Sequence, residues 1–210
     1  MHITNQELAA LDSRYRANLV NSLSGFKSAN LIGSISLEGN TNLAIVSSVF
    51  HLGAHPPLIG MISRPHSVVR DTLENILSTG EYTINHVNRE IFEQAHQTSA
   101  RYPSDVSEFE AVGLTPQWCE GVQAPFVEES RLKYSLKLRS SQTIELNDVI
   151  LLIGEVTHLY LQQEAISPQG YIDIESLDTI AVSGLDTYHV TDRIGRLAYA
   201  KPDTLPKRFD

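Results

Sequence analysis

The chain has 210 residues, 41% hydrophobic and 20% charged, and carries a formal charge of −9 from 16 basic and 25 acidic residues. That length can bury a core unaided. The acidic balance excludes nucleic-acid binding as a main role, because a phosphate backbone demands a basic face. The single cysteine, Cys119, excludes an internal disulfide framework and any multi-cysteine zinc or iron–sulfur site within one chain.

The opening stretch MHITNQELAALDSRYR lacks the long apolar region of a secretory signal. The longest apolar run, Val149 to Gly154, is far short of a membrane span. A cytoplasmic protein with no membrane contact is expected. Strand signals follow in Ala29–Leu37 and Thr41–Val49, joined by Glu-Gly-Asn, which reads as a hairpin. Residues 51–55, HLGAH, read as a loop, and Pro57–Ser63 as a strand whose first residue lacks an N–H. Val69, Leu73, Ile76 and Leu77 then share one helical face, and Gly80 is placed to stop that helix.

Glu81–Val87 alternates as a strand. Asn88 is expected to cap a helix through residues 89–100, and Ser104 a short one through residues 104–113. In the second half, Leu132, Tyr134, Leu136 and Leu138 alternate with polar residues, which predicts a strand with one wet face. Residues 148–161 are more continuously apolar and read as a central strand, and the segments around 184–189 and 195–203 as loop and short strand. Helices interrupt the strands without the regular alternation of a doubly wound parallel sheet. The fold class is therefore mainly β with peripheral helices, an antiparallel barrel formed by one domain over residues 1–210.

The chain has no G-x-G-x-x-G, no P-loop and no G-x-S-x-G elbow. His51 and His55 stand four apart, but Gly53 and Pro56 argue against a helix there, so the pair reads as loop histidines and no metal site is assigned. Ser47 and Ser48 end an apolar strand; their hydroxyls either face a ligand or bond the local backbone. Arg64, then Arg70, Asp71 and Thr72 at a helix start, are either the parts of an anion site or a solvated, acid-paired cluster. Trp118 and tyrosines 134, 160, 171, 188 and 199 read as core or interface, and Cys119 as structural.

Several of these pieces recur in a fixed order. Asn42, Ala44 and Ser47, then Pro56, Pro57 and Leu58, then Asp71–Ile76, Thr79–Tyr82 and Asn85, with Ile153–Val156 further on, resemble the flavin reductase-like family, the FMN-binding split barrels. The resemblance covers about residues 27 to 160 and departs from the family pattern at His51, Gly53 and His55. It implies an antiparallel split β-barrel, with N-terminal and C-terminal extensions packed on it, and a homodimer holding one FMN per subunit near the dimer interface. Ser47, Ser48 and Val49 would line the polar edge of the isoalloxazine. Ser63 and Arg64, with Thr72, would hold the phosphate, and His51 would tune the flavin or touch a substrate. The implied activity is an FMN-dependent oxidoreductase that takes electrons from NADH or NADPH as transient reductant and passes them to a small-molecule acceptor. No catalytic acid or base is assigned. The alternatives are a flavin carrier or sensor without turnover, and a split-barrel protein that uses the pocket for another ligand.

Overall fold

A computed structural model describes residues 1–65 and 70–209. The helices α1 (Asn5–Ala10) and α2 (Ser13–Ser22) come first, capped by the side chains of Thr4 and Asp12. Strands β1 (Lys27–Ser28), β2 (Asn30–Ile35), β3 (Thr41–Val46), β4 (Val49–Ala54) and β5 (Pro57–Ser63) follow. After α3 (Asp71–Thr79) come β6 (Glu81–His86), α4 (Phe92–Gln97), α5 (Glu108–Val112), β7 (Pro116–Gln117) and β8 (Phe126–Val127). The chain ends with β9 (Leu132–Ile144), β10 (Val149–Leu161), β11 (Ala181–Ser183) and β12 (Thr187–His189). The protein is thus mainly β, and no described helix is long and apolar enough to cross a membrane.

Seven strands form one antiparallel sheet in the order β3-β2-β6-β9-β10-β5-β4. The two edge strands, β3 and β4, are consecutive in the chain and are separated only by Ser47 and Ser48. A flat sheet of seven strands would hold its edges roughly 29 Å apart at about 4.8 Å per strand. Val46 and Val49 are three residues apart and can stand no more than about 11 Å from each other. The sheet must therefore curl until its edges nearly meet. No described ladder joins β3 to β4, so the curl stays open at Ser47–Ser48.

Alternation feeds two cores. Strand β2 sends Ile32 into a cluster with Met61, Leu73, Ile76, Tyr82, Leu136 and Leu152. Its neighbour Leu31 enters a second cluster with Leu43, Ile91, Phe109 and Val127. Helix α3 closes the first cluster through Leu73 and Ile76, and Gly80 ends it in the left-handed conformation at φ 73°. Val69, part of the helical pattern in the sequence, lies outside the described residues. Gly154 lets β10 cross the core closely, since a Cβ there would collide with the Tyr82 hydroxyl and Leu136.

Some local expectations change. Residues 49–54 form the strand β4, not a loop: Ala54 opposes Pro57, and only His55 and Pro56 form the turn. The irregularity between His51 and Gly53 breaks the alternation that would have marked it as a strand. Asn88 does not cap α4. It accepts from the Glu90 N–H at 3.0 Å, and the helix begins only at Phe92. Helix α5 begins after Ser107 rather than Ser104, and the Ser107 hydroxyl bonds Thr41 instead of capping. The first half of β9 has no wet face: its polar positions Lys133 and Ser135 are both buried, and the Ser135 hydroxyl bonds Thr157 at 2.7 Å. Lys133 is buried there and donates to the Val127 and Glu128 carbonyls at 2.9 and 3.0 Å. Trp118 and Tyr199 are exposed in the single chain, whereas Tyr134 is buried.

Burial pushes the His86 imidazole down to about 4, where it sits against Thr179 and the Tyr134 ring. A folded pKa below the unfolded value means that protons favour the unfolded chain. Stability should therefore fall as pH drops from about 6.5 towards 4, by up to about 3 kcal/mol from this one group. Urea unfolding of the wild type at pH 7 and pH 4.5 measures the loss, and His86→Gln should flatten the slope.

Candidate functional site

The open seam of the sheet gathers most of the residues picked out from the sequence. Ser48 hydrogen-bonds the next strand twice: its hydroxyl donates to the Ile62 carbonyl at 2.6 Å, and its carbonyl accepts from the Ile62 N–H at 3.3 Å. Val49 opposes Met61 in the ladder and packs on the first core. Ser63 and Arg64 follow Ile62 directly. Two segments separated by thirteen residues of chain, Ser47–Val49 and Ser63–Arg64, therefore lie side by side.

The groups at this seam are unevenly committed. The Ser48 hydroxyl is used on the backbone. The Ser47 hydroxyl, and the N–H groups of Ser47 and Ser48, donate to no described acceptor. Arg64 is exposed, with no partner among the described residues, and Ser63 makes one long bond to the Arg64 carbonyl at 3.4 Å. On the other side of the seam, Ser28 donates to the Val49 carbonyl at 3.4 Å and accepts from Asn30 at 2.8 Å. Asn30 is 1% exposed, yet its Oδ1 has no hydrogen-bond partner. A buried acceptor left open costs about 1–3 kcal/mol unless something donates to it. Sequence reading missed Asn30, because an asparagine inside an apolar strand looks like any other strand residue.

Helix α3 approaches from the far side. Its first turn has no side-chain cap, and Arg70 just before it donates to the Pro65 carbonyl at 3.3 Å, which ties the helix start to the end of β5. The Thr72 hydroxyl accepts from Asn42 at 2.8 Å and keeps its own proton uncommitted among the described residues. Asn42 lies five residues, or roughly 16 Å, before Ser47 along β3, so Thr72 sits apart from the Ser47–Ser48 seam. Asp71 faces a different cavity of about 430 Å³, beside Glu108. Burial raises the Glu108 carboxyl above the usual carboxylate range, and Asp71 adds to that rise.

His51 is exposed on the outer strand β4, opposite Ile59, and His55 is exposed in the β4–β5 turn. Among the described residues, no three of His, Cys, Asp and Glu converge as a metal site would require. The geometry therefore offers backbone and hydroxyl donors, an open acceptor and an apolar wall at the seam, with a free guanidinium and an uncapped helix start at one end.

Asn42 carries a second duty that the sequence motif conceals. It also bonds Ser34 at 3.3 Å, and Asn75 of α3 bonds the same hydroxyl at 3.2 Å. Asn42→Ala should cost about 1–3 kcal/mol of stability by stranding these buried groups, read as a lower urea midpoint with an unchanged slope.

A sequence profile described as "Flavin reductase like domain" matches residues 25–177. A crystal structure from Shewanella frigidimarina, provisionally described as a flavin reductase with split barrel domain, is 56% identical with a TM-score of 0.92, and the match covers 95% of this chain and all of that one. Nitrilotriacetate monooxygenase component B from Bacillus cereus is 23% identical with a TM-score of 0.79, over 92% of this chain and 96% of that one, and shares the fold. An uncharacterized protein of Aquifex aeolicus is 32% identical over 126 residues, 59% of this chain. The match spans 63% of that protein, less than two thirds of its length.

Proposed function

The chain belongs to the flavin reductase-like family, and from that premise we propose that it is an FMN-binding oxidoreductase, with the open seam of its curled sheet as the flavin site. The fold is read as the family's split barrel, the split being the gap between β3 and β4. The observation that carries this reading is the pairing of unused donors at Ser47 and Ser48 with Ser63 and Arg64 on the neighbouring strand.

The chemistry of the donor set suits FMN. A flavin ring presents a flat apolar face and an edge of alternating acceptors and N–H groups. The Ser47 and Ser48 N–H groups, and the Ser47 hydroxyl, serve the acceptors of that edge, and Asn30 Oδ1 takes a donor from it. Val49 supplies apolar wall. Arg64 and Ser63 hold the phosphate, and the uncapped start of α3 adds N–H groups of the right polarity. The Thr72 hydroxyl proton is available at the same helix end, held in place by Asn42. Bound FMN supplies hydride or electron transfer between a nicotinamide and a small-molecule acceptor. The protein's part is to orient the ring and exclude water from one face, and no side chain is assigned as acid or base. A homodimer belongs to this reading, since the seam is open on one side in the single chain. His51, on the rim of β4, is in place for a substrate contact rather than a ring contact.

The purified protein should be yellow or take up FMN at micromolar concentration; a colourless protein that binds no FMN overturns the assignment. Arg64→Ala should weaken FMN binding by about 1.5–3 kcal/mol, or roughly 10- to 150-fold, and unchanged affinity removes Arg64 from the site. Anaerobic mixing of the FMN complex with NADH or NADPH separates turnover from carriage. Loss of the flavin band near ~450 nm, a property of the cofactor, marks a reductase, and its persistence marks a carrier.

A further inference from the structure

The chain exposes 13128 Å² of surface, whereas a compact monomer of its 23.3 kDa exposes about 9,700 Å². The surplus of roughly 3,400 Å² exceeds the ~800 Å² that one partner buries in a standard interface. The ends of the chain carry much of it, for no residue of 1–28 or 183–209 is buried. The last twenty residues form a two-stranded hairpin. The Ala198 N–H donates to the Lys207 carbonyl at 2.8 Å, and the Phe209 N–H to the Arg196 carbonyl at 2.9 Å. Such a hairpin alone is marginal in water. Its apolar side chains find no core, since Ile194 is 91% exposed, Tyr199 93% and Leu205 89%. The Lys201 and Lys207 ammonium groups meet no described acceptor, and both side chains are exposed.

A surface of the opposite character lies between the β2–β3 turn, α3 and α5. It is the cleft of about 430 Å³ that Asp71 faces, a volume in the range of ligand pockets. Its described lining holds four carboxylates, Glu38, Asp71, Glu74 and Glu108, and no lysine, arginine or histidine. Leu37 and Val106 also line it and are themselves exposed. The carboxylates crowd one another: burial raises the Glu108 carboxyl, and Asp71 raises it further. A cation entering the cleft relieves that crowding, and an apolar side chain covers Leu37 and Val106.

We propose that the C-terminal arm of one copy of this chain docks in the acidic cleft of a second copy. The proposal rests on the homodimer reading above and names a contact that builds it. Charge selects the occupant. Five of the 16 basic and three of the 25 acidic residues fall in the last twenty, so the arm is net +2 while the preceding 190 residues carry −11. The arm also brings exposed apolar side chains to a cleft with an apolar rim. No residue of the arm lines the cleft of its own chain, so the contact is made between copies. Asp71 and Thr72 adjoin at the start of α3. The docked arm therefore lies next to the helix end that the reading above gives to the FMN phosphate.

Sedimentation equilibrium and zero-length carbodiimide cross-linking test the proposal on the full chain. The wild type should be a dimer. Lys201→Glu with Lys207→Glu, and separately Glu38→Lys, should each raise the dimer dissociation constant at least about tenfold. All three residues are exposed, so the variants fold, and circular dichroism checks this. Mixing isotope-labelled and unlabelled wild type before cross-linking locates the arm. Mass spectrometry should find Lys201 or Lys207 of one copy joined to Glu38, Asp71 or Glu74 of the other. Cross-links confined to one copy, or running to carboxylates outside the cleft, overturn the docking. So does a dimer indifferent to the lysine variant. Weakening by the lysine variant but not by Glu38→Lys overturns the cleft as the docking surface. A monomeric wild type overturns the homodimer reading itself, and the docking with it.

Discussion

Everything at the candidate site follows from a connector of two residues. Strands β3 and β4 are neighbours in the chain and opposite edges of a seven-stranded sheet. Two residues cannot span a flat sheet, so the sheet curls until its edges face each other. The curl stops short of closure, which leaves backbone donors at Ser47 and Ser48 without an acceptor among the described residues, where β5 also ends. Ser48 ties that place to β5 by donating its hydroxyl to the Ile62 carbonyl and accepting from the Ile62 N–H. An open polar seam is thus a by-product of chain connectivity before any ligand is considered.

The helix start is positioned by buried polar groups rather than by a cap. Asn42, Ser34, Asn75 and Thr72 form a connected set between β2, β3 and α3. Apolar contacts through Leu73 and Ile76 fix how deep α3 lies, but they tolerate sliding. Hydrogen bonds of defined direction do not, so the network sets where the uncapped N–H groups point. The same logic explains why an asparagine of the family motif lies away from the seam: its work is to hold the helix.

The two edges of the sheet show contrasting treatment. The β3 edge is sealed by α4 and α5, with a carboxylate accepting from Leu43 although burial disfavours its charge. At the β4 edge the Ser28 hydroxyl donates to the Val49 carbonyl at 3.4 Å, and Phe50 and Leu52 stay partly exposed. Phe50 lays its ring over Gly60, where a Cβ would not fit, and this fixes β4 on β5 while leaving part of the ring in solvent.

Strands β2, β3, β5, β6, β9 and β10 were legible in the sequence because their apolar residues alternate or run unbroken between glycine, proline and polar turns. Helix α3 was legible from its face and its terminal glycine. Strand β4 was not, since a bulge between His51 and Gly53 erases its period. Asn88 and Ser104 looked like caps, but tertiary bonds to other segments decide where α4 and α5 begin. At the site, Ser47, Ser48, Ser63 and Arg64 could be picked out as residue types able to meet an anion or a polar edge, and their order matched a known family. What could not be read was the open acceptor on Asn30 or the burial of Lys133. Local sequence determines periodicity, turn chemistry and the inventory of donors. Which donors remain unspent depends on pairings between segments far apart in the chain, and only the tertiary structure sets those.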